Sequence, residues 1–180
     1  MQPDEQLVQL YREGDEGAFE ELFSRYRRPV FGFILKMLGN RPAAEDVFQE
    51  VFARVHARIR EYESNEKFSG WLYTIAYHLC VDAQRRQRRQ WWLRFGAEAP
   101  EPRSTMNPED EAASREMKEL VAAQVEHLDR RLKEVFLLRT HGNLLFREIA
   151  MLLDVPLNTV LVRYHQAVLA LREALKEGVR

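Results

Sequence analysis

Apolar residues recur along most of this chain at helical spacing. In AFEELFSRYRRPVFGFILKML, Phe19, Leu22, Phe23, Tyr26, Val30, Ile34 and Leu38 follow one another mostly at three- and four-residue steps. That period predicts an amphipathic helix. Pro29 inside it lacks a backbone N–H and is expected to bend or split the element. In GNRPAAEDVFQEVFARVHARI, Val47, Val51, Phe52, Val55 and Ile59 form a second stripe. Asn40 is placed to cap that helix and Pro42 falls in its first turn, where a missing N–H costs little. In FSGWLYTIAYHLCVDAQRRQRRQWW, Leu72, Ile75, Ala76, Leu79 and Ala83 share one face at 100° per residue. Thr74, Tyr77, His78, Val81, Arg85 and Arg88 are expected on the opposite, outer face. No strand-type alternation interrupts this half.

The C-terminal third has the same character. SREMKELVAAQVEHLDRRLKEVFLLRTHG reads as two helices with Leu120, Val121, Val125, Leu128, Leu132, Val135, Phe136 and Leu138 as their stripe. Asp129 is expected to cap the second, and His141-Gly142 to end it, glycine being common just past a helix. FREIAMLLDVPLNTVLVRYHQAVLALREAL then predicts a helix-turn-helix. Ile149, Ala150 and Leu153 pack inward from its first helix, DVPLN forms the turn, and Asn158 caps the second helix. Val160, Tyr164, Ala167, Leu171 and Ala174 make that helix's inner face. Leu161, Val162, His165, Gln166 and Leu169 face outward, with Arg163 at the edge.

Charge divides this helical chain. Residues 1–90 carry 14 basic and 14 acidic side chains (net 0), residues 91–112 carry 2 and 5 (−3), and residues 113–180 carry 11 and 9 (+2). The acidic middle, FGAEAPEPRSTMNPEDEAA, is proline-rich and has no apolar period, as a linker would be. A long ordered loop is the other reading, and such loops are uncommon in compact domains. The expected fold is all-α: two small helical domains, 1–92 and 113–180, joined by a flexible linker over 93–112. No apolar run reaches the roughly 18 residues of a membrane span, and the acidic, polar N-terminus is unlike a signal peptide. The cytoplasm is the expected location. Cys80 is the single cysteine, so neither an internal disulfide nor a cysteine-rich zinc site is available. The five histidines are scattered, and there is no glycine-rich phosphate loop or paired-histidine motif. No catalytic group, cofactor, metal or small-molecule substrate is expected.

Two faces carry candidate chemistry. The outer face of the third helix is aromatic first and basic further on: aromatics stack on unpaired bases, and arginines hold a nucleic-acid backbone. RRQRR is equally the composition of a solvated helix end. On the last helix, Gln166 suits bidentate pairing with adenine, and Arg163 suits guanine or phosphate. Recognition helices present their N-terminal residues to base edges, which brings Asn158, Thr159 and His165 into the same set. Its exposed Leu161 and Val162 fit thymine methyls, or a protein partner's strip.

The motifs AEDVFQEVF and FSGWLYTIAYHLCVDAQRRQRR, followed by the helix-turn-helix, resemble the extracytoplasmic-function sigma factors of bacterial RNA polymerase. The resemblance runs from about Asp15 to Leu175, apart from the linker. It implies that Asp46, Gln49 and Glu50 dock on a coiled coil of the largest polymerase subunit; without it, Asp46 and Glu50 merely favour the N-terminal half of their helix. It implies that the segment EYESNEKFSG, with Phe68 and Trp71, and the outer face bearing Tyr77 and His78 melt the −10 promoter element and hold a flipped base. Phe68 and Trp71 are also candidates for core. Arg85, Arg86, Arg88 and Arg89 match the family's basic end, which holds promoter backbone. His78 stands where many members carry asparagine, so the −10 preference is expected to differ. Leu161, Val162, Gln166, Val168 and Leu169 stand where lysine, arginine or serine is common, so −35 binding by this helix is expected to be less electrostatic. The implied partners are core RNA polymerase, promoter DNA and an anti-sigma factor, with no membrane insertion. The alternative is a sigma-like or helix-turn-helix regulator whose C-terminal module mainly binds a protein.

Overall fold

The computed structural model describes residues 2–62, 67–95 and 124–178. The chain divides into two compact units, one within residues 1–101 and one within 102–180. Every regular element among the described residues is a helix.

The first unit is built from α1 (Asp4–Arg12), α2 (Glu16–Leu38), α3 (Arg41–Arg58) and α4 (Phe68–Phe95). Asp15 caps α2 by accepting the Gly17 N–H at 3.0 Å. Pro29 does not split α2: the helix is continuous, and Pro29 lies on its exposed side while Val30, Phe33, Ile34, Met37 and Leu38 go inward. Tertiary burial of that face outweighs the propensity cost of one proline. At its end Gly39 turns left-handed (φ 62°), and Asn40 immediately caps α3 through a 2.9 Å bond from the Ala43 N–H. The chain thus reverses in two residues, at a φ that glycine adopts without strain.

The core lies where α2, α3 and α4 meet. Phe33, Ile34, Val51, Val55, Leu72, Tyr73 and Leu79 are all essentially inaccessible. Phe33 meets Tyr73 edge to face with ring centroids 5.2 Å apart. Each such side chain contributes about 1.5–3 kcal/mol of apolar burial. α1, whose helical period the acidic N-terminus obscures, closes this core with Leu7, Val8 and Tyr11. Asp4 in its first turn pairs with Arg25 and accepts the hydroxyl of Tyr26, tying α1 to α2.

The second unit holds α5 (Arg130–Thr140), α6 (Phe146–Leu153) and α7 (Leu157–Gly178). Asp129 caps α5, accepting the Arg131 N–H at 2.9 Å. Past α5 the left-handed residue is Asn143 (φ 52°) rather than Gly142, which is buried. Val135, Leu137, Leu138, Ile149, Val160 and Ala167 form the core of this unit. The expected helix carrying Leu120 and Val121 lies largely outside the described residues; Val125, near its end, is buried.

Candidate nucleic-acid interface

α4 sets the main surface. It extends through Phe95, so residues 93–95 of the expected linker are helical, while 96–112 lie outside the described residues. Gln84 ties its middle to α2 by donating to the Met37 carbonyl at 2.7 Å. Opposite the buried face stand His78, Arg85, Arg88 and Arg89, all exposed; Arg86 is exposed too, on the side of Leu79 two turns further on. Asp82 is the one acid among them, and its contact with Arg85 is long, at 3.9 Å between two exposed groups. Such a pair contributes little to stability and yields readily to a phosphate.

Two aromatics assigned to this surface lie elsewhere. Tyr77, expected outside, is 8% exposed. One residue before His78 puts it about 100° round the helix, on the flank beside buried Tyr73 and Cys80. The core face is wider than an ideal stripe because α4 packs on both α2 and α3. Phe68 is 1% exposed, with its ring against Tyr26 (5.6 Å), Tyr62 (5.9 Å) and Trp71 (5.9 Å). It is core in this conformation. Trp71 is half-buried at the rim of the same cluster, 5.3 Å from Tyr62. Of EYESNEKFSG, residues 63–66 lie outside the described residues.

On α3, Asp46 and Gln49 are exposed, and Glu50 is half-buried. Their spacing puts all three on one face. Val47, Val51 and Phe52 are buried behind them. Phe52 is held between Phe23 (4.8 Å) and Phe48 (5.0 Å). Glu50 accepts from Arg54 at 2.5 Å, an exposed pair one turn apart. This ridge is rigid below and polar above.

In the second unit α6 and α7 are joined by residues 154–156, with Asp154 left-handed (φ 51°). Glu148 accepts the Leu145 N–H at 2.6 Å, the reciprocal half of a capping box for which Leu145 has no acceptor to offer. Asn158 does not cap α7. The helix begins at Leu157, and the Pro156 carbonyl accepts the Thr159 and Val160 N–H groups at 2.9 and 3.3 Å. Proline directly before the helix presets its entry, which puts Asn158 exposed in the first turn. His165 and Gln166 are exposed, while Thr159 and Arg163 are half-buried at the edge. Leu161, Val162 and Leu169 share the outer side at 41%, 54% and 42% exposure, and Met151 on α6 reaches 74%. Tyr164 is fixed beneath by Phe146 (5.1 Å) and Phe136 (6.3 Å).

Burial pushes the Cys80 thiol well above its ordinary range. Tyr26 is raised by burial and then by its bond to Asp4, and Tyr73 by burial alone. These groups stay protonated and structural. Among the described residues no cluster of histidine, cysteine and carboxylate side chains would hold a metal ion, and no helix is long and apolar enough to cross a membrane.

Comparison with known proteins agrees with this architecture. The sequence model of Sigma-70 region 2 matches residues 22–90, which span α2 to the arginines of α4. The sigma factor CarQ of RNA polymerase from Myxococcus xanthus is 34% identical over 94% of this chain and 96% of its own. The ECF RNA polymerase sigma-E factor of Haemophilus influenzae is 31% identical over 91% and 90%. SigW of Bacillus subtilis is 29% identical over 94% and 95%. A solved sigma factor RpoE from Bartonella quintana, in complex with the anti-sigma factor NepR, shares the fold at 18% identity (TM-score 0.74, covering 88% of this chain and 96% of that one). CnrH, solved with the cytosolic domain of CnrY, superposes with a TM-score of 0.65 at 21% identity, covering 97% of each chain. The chain belongs to the extracytoplasmic-function sigma factors of RNA polymerase. It is an alternative sigma factor, directing core polymerase to promoters in transcription initiation. Proteins of this family are not enzymes.

Proposed function

We propose a division of labour across the two units. The α3 ridge of Asp46, Gln49 and Glu50 docks on a basic helical surface of core polymerase. Carboxylate and amide groups on a rigid apolar base offer charge-assisted bonds with no backbone to order. The outer face of α4 receives the −10 element. His78 offers a ring nitrogen to a base edge, and Arg85, Arg86, Arg88 and Arg89 hold the phosphates. Trp71, at the rim of the Phe68 cluster, lines the entry for a displaced base, while Phe68 supports it from the core. Gln166 and Arg163, flanked by Asn158, Thr159 and His165, read the −35 element, with Leu161 and Val162 against thymine methyls. The protein works in the cytoplasm, where polymerase and promoter are. An anti-sigma factor covers the exposed apolar strip of α7 when the protein is held inactive.

The observation that carries this reading is α4: a buried face on one side, and on the other exposed His78 and an arginine run, inside the residues that match Sigma-70 region 2. The test is transcription by purified core polymerase on genomic DNA with this protein added, followed by sequencing of transcript 5′ ends. Discrete starts sharing two upstream motifs are expected. Polymerase binding with no starts would instead favour a partner-dependent regulator.

A further inference from the structure

α4 does not stop where its match to Sigma-70 region 2 stops. The match ends at residue 90, and the helix continues through Trp91, Trp92, Leu93 and Phe95. These four are 37%, 61%, 71% and 58% exposed. Large apolar side chains left in water forgo the burial that stabilises them elsewhere in the unit, and a cluster of them marks a contact surface. The four are not equivalent. Trp91 and Phe95 cover each other, ring centroids 4.4 Å apart. Trp92 stands on a different side. At 100° per residue, His78, Arg85, Arg89 and Trp92 fall within about 60° of arc, so the indole lies in line with the proposed −10 face. Arg86, Arg88 and Phe95 flank it.

We propose that Trp92 is a stacking platform for an unpaired promoter base, extending the DNA-binding face of α4 by one turn beyond Arg89. Charge chooses the occupant: the turns leading to Trp92 carry four arginines and one acid, Asp82, which suits a polyanion with exposed π faces. From His78 to Trp92 the helix rises about 21 Å, the length of about six nucleotide steps at the duplex rise and fewer for an extended strand. A single strand held along α4 by Arg85 and Arg89 meets the indole as its last support. The inference rests on the sigma-factor reading for the identity of the strand.

The experiment uses core polymerase saturated with the full chain, as wild type, Trp92→Ala, Trp92→Phe or Arg89→Ala. A fluorescein-labelled, mixed-sequence 12-nucleotide single strand is titrated in, and anisotropy is measured beyond that of core alone. Trp92→Ala is expected to weaken binding about 5- to 150-fold, the loss of one stacked base, without changing the salt slope. Trp92→Phe should keep most of the affinity. Arg89→Ala should lower the salt slope by about 0.7. Wild-type affinity in Trp92→Ala, or absent wild-type binding, overturns the platform. So does loss of core-polymerase binding in Trp92→Ala, which would make the partner a protein. Binding of the wild type to phosphatidylserine vesicles that Trp92→Ala abolishes, with strand affinity unchanged, would make it a membrane surface. Transcript starts mapped with the same proteins separate the two readings. Starts from wild type with no strand defect in Trp92→Ala sink the platform alone. No starts from wild type sinks promoter function, and the strand titration then judges the platform by itself.

Discussion

Cys80 and His78 are two residues apart and face opposite environments. Cys80 is wholly buried, and burial holds its thiol protonated well above the ordinary value of 9.0. The unfolded chain releases that proton first as pH rises, so the native state then binds more protons and stability falls. The contribution is fully present well below pH 9.0 and is lost progressively as pH rises through it. Between pH 7 and 9.5 it amounts to about 1 kcal/mol. Urea midpoints of wild type should therefore drop across that interval more than those of Cys80→Ala. Equal drops would show a thiol that titrates freely. His78 is exposed and carries no core load. His78→Asn should leave stability within about 0.5 kcal/mol and shift base preference at one −10 position by about 1–3 kcal/mol. Systematic promoter variants with holoenzyme would read that shift. Gln166→Ala should do the same at one −35 position; unchanged preference there would remove the case for groove reading by α7.

At the scale of elements, caps and burial separate cleanly. Asn40→Ala removes the acceptor at the start of α3 and should cost about 1 kcal/mol in urea unfolding, with polymerase affinity retained. Asp46→Arg makes the opposite test. Asp46 is exposed and engages no core group, so the fold should persist by circular dichroism while affinity for core polymerase falls at least about tenfold, or about 1.4 kcal/mol. Unaltered affinity would dissociate the α3 ridge from docking. Helices α2, α3 and α4 were evident as apolar stripes because each has one strongly buried face. α1 was not, since its few apolar residues, Leu7, Val8 and Tyr11, sit among acids and glutamines. What makes it a helix of the fold is contact with α2, through Asp4 to Arg25 and Tyr26. The start of α7 was misplaced by two residues for a related reason: Asn158 has the chemistry of a cap, but the Pro156 carbonyl already accepts the first N–H groups of the helix.

Across the whole molecule, the charges that hold DNA are unequally shared. α4 exposes five arginines, Arg85, Arg86, Arg88, Arg89 and Arg94, whereas the outer side of α7 is largely apolar with Arg163 at its edge. The salt dependence of promoter binding should therefore come mainly from the first unit. Arg85→Ala and Arg89→Ala should each reduce the slope of log affinity against log salt by about 0.7–0.9, and Arg163→Ala by less. Equal slopes for all three would contradict this division.

The order of apolar positions by itself determined the all-helical class and the places of α2 to α4 and of the paired helices near the C-terminus. Each rests on a local period that one segment expresses alone. The side of a face that a boundary residue joins is not local. Tyr77 and Phe68 have the composition of base-stacking groups, yet Tyr77 is buried and the Tyr26, Tyr62 and Trp71 rings enclose Phe68. Trp92 has the same composition and remains outside, because α4 runs on past the helices that cover its inner face. Which aromatics are core and which meet a partner was decided by packing between helices far apart in sequence, since burial depends on neighbours that no single stretch contains.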